Sequence, residues 1–130
     1  MARTTFKNDM RITGNLTVVG SISSTVNAIG AATATAGAAT LAARRGKITS
    51  EALTTAQNLF YTLTITNTTC AAADMVMASL TNGTNSAGTP VITSVTPGAG
   101  TITIVVQNMH ASAVALNGTL VISYEVLKAS

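Results

Sequence analysis

The chain has 130 residues, 8% of them charged, a formal net charge of +3 and a single cysteine. Soluble monomers usually carry charge on roughly a quarter of their residues, so this composition describes a surface built to be covered by other molecules. It also removes most of the material for proton transfer, nucleophile activation and metal binding, which need converging ionisable side chains. The chain is therefore not read as an enzyme, and no cofactor, metal or small-molecule substrate is expected.

The hydrophobic fraction is 47%, but much of it is alanine, and no apolar run approaches the roughly 18–20 residues of a spanning helix. No membrane partner is expected. The first residues, Met1-Ala2-Arg3-Thr4-Thr5-Phe6-Lys7, lack the apolar segment of a secretory signal, so synthesis in a cell's cytoplasm is expected. Arg3, Lys7, Arg11, Arg44, Arg45 and Lys47 all precede residue 48, whereas between Ala52 and Tyr124 only Asp74 carries a formal charge. A basic leading part and a neutral body follow from that placement.

Residues 1–27 read as an extended N-terminal arm. Within it Met10, Ile12, Leu16, Val18, Val19 and Ile22 interleave with Thr13, Asn15, Thr17 and Ser21, punctuated by Gly14 and Gly20, a pattern of two short β segments separated by bends. Residues 28–45 are a low-complexity Ala/Thr/Gly stretch, read as a linker or a small-residue strand, because threonine and glycine oppose the helix that alanine favours.

Residues 46–130 form the expected β body. Leu59, Tyr61, Leu63 and Ile65 alternate with Phe60, Thr62, Thr64 and Thr66; Ile102, Ile104 and Val106 alternate with Thr101, Thr103 and Val105; Leu120, Ile122, Tyr124 and Val126 alternate with Val121, Ser123, Glu125 and Leu127. That is the period of strands with one buried face. Segments 47–53, 75–81 and 90–96 complete the set, with turn chemistry at Asn82-Gly83, Pro97-Gly98 and Asn117-Gly118. A short helix over 50–56 is the competing reading, with Ser50 as cap. Six to eight short strands at this spacing predict an all-β chain, a β-sandwich or jelly roll with an extended N-terminal arm.

Chemistry-bearing constellations are missing. His110 with Ser112 or Ser123 and Asp74 has no nucleophile elbow, and one His, one Cys and four scattered carboxylates make no metal set. Cys70 reads as a small buried hydrophobe, and Met75, Met77 and Met109 as adaptable core packing. The Asn-x-Thr sequons at Asn15, Asn67, Asn82 and Asn117 are what a threonine-rich chain makes by chance. Arg44, Arg45 and Lys47 form a compact basic cluster, a candidate contact site. With 3% aromatic residues the stacking platforms of single-strand binders are absent, so an acidic protein surface or solvent is preferred over nucleic acid.

Met10-Arg11-Ile12-Thr13-Gly14-Asn15-Leu16-Thr17-Val18-Val19-Gly20, the segment 46–55, and the ending from Val95-Thr96-Pro97-Gly98 through Tyr124 resemble structural proteins of tailed bacteriophages. A small single-domain chain with a basic arm resembles, among these, the capsid decoration or cement proteins. That resemblance implies a homotrimer on the virion surface, made in the bacterial host cytoplasm, that clamps neighbouring copies of the major capsid protein. It places the arm, residues 2–22, on the shell, with Arg3, Lys7 and Arg11 meeting acidic residues and Phe6 and Ile12 as apolar anchors. The alternative reading is a phage fibre, tail or receptor-binding subunit.

Overall fold

Alternation along the strands sorts the side chains into two inner and two outer faces, and the chain folds to bury the inner pair. The computed structural model describes residues 29–129, together with Thr13. Eight strands occur among them: β1 (Gly30–Thr33), β2 (Ala38–Thr40), β3 (Arg45–Thr49), β4 (Phe60–Thr66), β5 (Met75–Asn82), β6 (Pro90–Gly98), β7 (Thr101–Asn108) and β8 (Leu120–Leu127). They form two four-stranded sheets, ordered β1-β3-β8-β5 and β2-β4-β7-β6. The described part is an all-β sandwich with no helix.

β3, β8 and β5 are mutually antiparallel, as are β4, β7 and β6, whereas the edge strands β1 and β2 run parallel to β3 and β4. These parallel edges separate the arrangement from a jelly roll of antiparallel strands. The alanine-rich segment supplies both β1 and β2, the small-residue strand that was one reading of residues 28–45, and among the described residues the sheets begin at Gly30. Small side chains suit these positions because the neighbours come close. A Cβ on Gly46 would stand 2.7 Å from Tyr124 Cε1, and Gly37, between the edge strands, takes a φ of +73° that L side chains rarely adopt.

The core lies between the sheets. Leu63, Ile65, Ile102, Ile104 and Val106 from one sheet meet Ile48, Leu120, Ile122 and Val126 from the other, all essentially without solvent contact. Each such side chain contributes about 1.5–3 kcal/mol by leaving water. Cys70 is buried as expected.

Several strand bounds differ from the sequence reading for local reasons. β3 ends at Thr49 rather than running to residue 53, because the Ser50 hydroxyl takes the Leu120 N–H at 2.9 Å and donates to the Glu51 carbonyl. Residues 50–56 then form neither strand nor helix. Leu59, read as the start of an inner face, precedes β4 and is 57% exposed. Pro97 and Gly98 lie within β6, and the turn to β7 falls on Ala99 and Gly100. Met75, Met77 and Met109, expected in the core, are exposed: the alternation of β5 sends Val76, Ala78 and Leu80 inward instead.

Buried asparagines close the ends. Asn108 Nδ2 donates to the carbonyls of Thr55 (3.0 Å) and Val114 (2.8 Å), while its Oδ1 accepts the N–H groups of Thr89 (3.0 Å) and His110 (3.3 Å). Asn67 Nδ2 donates to the Ala43 carbonyl and to the Tyr124 hydroxyl, and its Oδ1 accepts from the Thr69 amide and hydroxyl. Each is wholly buried, and each ties loops to a strand that the core already holds.

Near the C-terminus Asp74 accepts from Lys128 Nζ at 2.5 Å and from the amides of Ala129 and Ala71. The Lys128 bond, aided by those two amides, lowers its pKa from 3.8 to about 2. The Asp74 contribution to stability is therefore complete above pH 4 and disappears as pH falls toward 2. An acid-unfolding titration of Asp74→Asn should show a weaker loss of stability across that interval than the parent chain; an unchanged acid limb would remove Asp74 from the ledger. Asn108→Leu leaves several buried groups unpaired, at roughly 1–3 kcal/mol each. Urea unfolding should place it at least about 3 kcal/mol below the parent, with an unaltered m-value.

Candidate functional site

Two outer faces are available for contact, and they differ in chemistry. On the β1-β3-β8-β5 sheet the cross-strand register aligns Arg45 with Glu125 and Met77, Lys47 with Ser123 and Ser79, and Met75 with Leu127. Arg45 Nε and Nη2 both donate to Glu125 Oε1, at 2.9 and 2.7 Å. The pair is about 40% exposed on each side, so solvent screens it and it contributes at most about 1 kcal/mol.

The basic cluster is thereby divided. Arg45 is neutralised by Glu125, Lys47 points outward from the same strand two residues on, and Arg44 is exposed just before β3. Among the described residues neither Arg44 nor Lys47 enters an ion pair. Arg3, Phe6, Lys7, Arg11 and Ile12 lie outside the described residues. Between the Arg45 and Lys47 rows runs a shallow furrow of about 320 Å³, crossing the sheet from Ile29 to Met77.

The outer face of the β2-β4-β7-β6 sheet carries no charge. Its rows are Phe60, Gln107 and Val91; Thr62, Val105 and Ser94; Ala38, Thr64, Thr103 and Thr96; and Thr40, Thr66, Thr101 and Gly98. One end is apolar, because Phe60 is 59% exposed with Leu59 beside it in sequence, Val91 across the sheet, and exposed Met109 just after β7. Threonine suits such a face twice over: the branched Cβ favours the strand, and the hydroxyl can meet solvent or a partner without a buried charge.

A hollow of about 370 Å³ adjoins Phe60, bounded by Glu51, Leu53 and Thr55. Glu51 accepts from the Gly37 amide (2.8 Å) and the Tyr61 hydroxyl (3.0 Å), so it clamps the β1–β2 turn to β4. Burial, reinforced by this carboxylate, pushes the Tyr61 phenol well above its ordinary value. The sequence reading missed Glu51, Leu59 and Phe60 as surface features. The Thr62/Thr64/Thr66 alternation already placed Phe60 outward, and that was the available signal.

His110 Nδ1 is engaged by Ser112 backbone atoms at 3.1 and 3.2 Å, while Asp74 is held by Lys128 and its two amides. Among the described residues no three His, Cys, Asp or Glu side chains gather as a metal set. Asn67, in one sequon, is fully buried.

Replacing Phe60 and Leu59 together by serine should leave the unfolding free energy from urea titration within about 1 kcal/mol of the parent, since exposed side chains add little to the fold. A larger loss would mean that these residues are structural. Compared with known proteins, the chain matches no family model, no curated protein and no solved structure.

Proposed function

We propose that this protein is a structural subunit of a tailed-phage particle, binding the outer surface of the assembled capsid as a homotrimer and stabilising the shell. The observation that carries this reading is the uncharged outer face of the β2-β4-β7-β6 sheet, with its apolar end at Phe60 and Val91. A face without charge can be covered by a protein neighbour without stranding an unpaired ion, and exposed aromatic and aliphatic side chains are typical interface anchors. The resemblance of the arm and the β segments to phage structural proteins supports the choice of particle.

Mechanistically the action is linkage rather than chemistry. A subunit that binds the assembled shell and not its separated parts stabilises the shell by mass action. Arg3, Lys7 and Arg11 supply attraction to acidic capsid residues, with Phe6 and Ile12 as anchors, and three arms on one trimer raise the effective concentration. Arg44 and Lys47, free of ion pairs in the sandwich, form a second basic contact.

The test mixes purified protein with heads that lack it and counts bound copies by sedimentation and densitometry. Saturation at hundreds of copies per head, in threes per lattice site, is the expected result. No binding would overturn the reading, and a handful of copies would move the protein to a fibre or tail position. Reversing Arg3, Lys7 and Arg11 to glutamate should weaken head binding at least tenfold at low salt, with a smaller difference at high salt.

A further inference from the structure

The four sheet edges are not equally protected. β1 and β2 are only four and three residues long, and β6 carries Pro90, Pro97 and a bulge between Ile92 and Ser94. Short strands, prolines, bulges and charges are the usual devices that stop an edge from pairing with further chain. β5 has none of them: its eight residues pair without interruption to β8, contain no proline and no charge, and among the described residues its other side has no strand. The sandwich is also least closed there. Of the seven partly buried apolar side chains packed against the core, five are Val76, Ala78 and Leu80 of β5 and Ile92 and Val95 of β6, so the seam between these two edges is where the core still meets water.

Alternation assigns the polar groups on the β5 edge. The Gly83 amide donates to the Thr119 carbonyl, and the same register opposes Thr81 to Val121, Ser79 to Ser123, Met77 to Glu125 and Met75 to Leu127. Antiparallel partners alternate between pairs that exchange backbone hydrogen bonds and pairs that do not, so the odd-numbered residues of β5 bond to β8. The N–H and C=O groups of Val76, Ala78 and Leu80 therefore point to the open side.

We propose that β5 pairs antiparallel with β5 of a second copy, across a two-fold axis at Ala78. This register opposes Ala78 to its own counterpart and Val76 to Leu80 of the second copy, which are the residues whose backbone groups face the edge. It also continues the inward apolar row, large opposite large and small opposite small. On the outer face Met77 meets Ser79 and Met75 meets Thr81, neutral against neutral. Asp74, held by Lys128, stands opposite Asn82 rather than another carboxylate. A two-fold contact is self-complementary, and a strand without charge sets no like charges together. Shifting the register by two residues would oppose Val76 to Asn82, or Leu80 to Asp74, and break the apolar row. A shift by one would set inward faces against outward ones. The contact goes beyond the capsid reading and does not rest on it, since a two-fold doubles whatever unit the protein forms, with or without a three-fold.

Sedimentation equilibrium of the free full-length protein tests this with paired variants. Met77 and Ser79 are exposed on the outer face and oppose one another across the axis. Met77→Lys with Ser79→Lys therefore sets lysine against lysine, whereas Met77→Lys with Ser79→Glu sets lysine against glutamate. At equal protein concentration the parent and the lysine–glutamate variant should reach twice the mass of the dilysine variant, with all three unfolding cooperatively in urea. In the parent the amides of Val76, Ala78 and Leu80 should exchange on the order of tenfold more slowly than in the dilysine variant, while the Thr81 amide, bonded to β8, is protected in both. A parent of the same mass as the dilysine variant overturns the proposal, and so does a lysine–glutamate variant that stays at the dilysine mass. Equal protection of the Val76, Ala78 and Leu80 amides in parent and dilysine variant overturns it as well, by assigning the edge to a different strand.

Discussion

Burial of the apolar rows of β4, β7 and β8 between the two sheets is the constraint on which the rest depends. Ile104 and Leu63 on one side, and Ile122 and Leu120 on the other, have no solvent contact. Because successive side chains of a strand point to opposite faces, fixing these inward fixes Thr62, Thr64, Thr101 and Thr103 outward. The neutral outer face follows from the same register that makes the core, and a slip by one residue would exchange the two.

Within that frame polar groups are buried only where they close the ends. Asn108 and Asn67 each make four side-chain hydrogen bonds, and Asn85 and Asn117 tie together the loops that precede β6 and β8: the Asn117 amide donates to Asn85 Oδ1, and Asn117 Oδ1 accepts from the Ser86 and Ala87 amides. Among the described residues no buried side-chain nitrogen or oxygen lacks a partner. A chain with few charges thus secures several of its loops by neutral amides, which need no counter-ion, beside the carboxylate clamps of Glu51 and Asp74. Burial raises the Tyr124 pKa to about 12 although the Asn67 bond opposes the shift, so its hydroxyl stays protonated beside the carbonyls of Leu41 and Ala43.

Much of this was legible in residue order. Period-two alternation located β4, β7 and β8 because a buried face writes itself plainly when its other face is threonine. β5 was found but its methionines were misplaced, since Met75 and Met77 are as apolar as the Val76 and Ala78 that actually turn inward, and composition cannot choose between the two faces of a strand. The edge pairing of β1 and β2 was hidden because alanine and threonine carry too little contrast, and parallel pairing depends on contacts distant in sequence. Glu51 was hidden for a similar reason: its partners, Gly37 and Tyr61, become neighbours only after the sheets form. The basic cluster was visible as a run, but not that Glu125, eighty residues away, takes Arg45 out of it.

The two outer faces divide the contact chemistry between them. One presents Arg45 paired with Glu125 beside Lys47, which enters no ion pair among the described residues; the other presents threonine rows ending at Phe60. Oxidative footprinting of the protein, free and bound on particles, tests most directly whether the uncharged face is the covered one. Phe60, Leu59 and Met109 should lose most of their labelling on the particle. Equal labelling of these three side chains in the free and bound states would contradict that assignment.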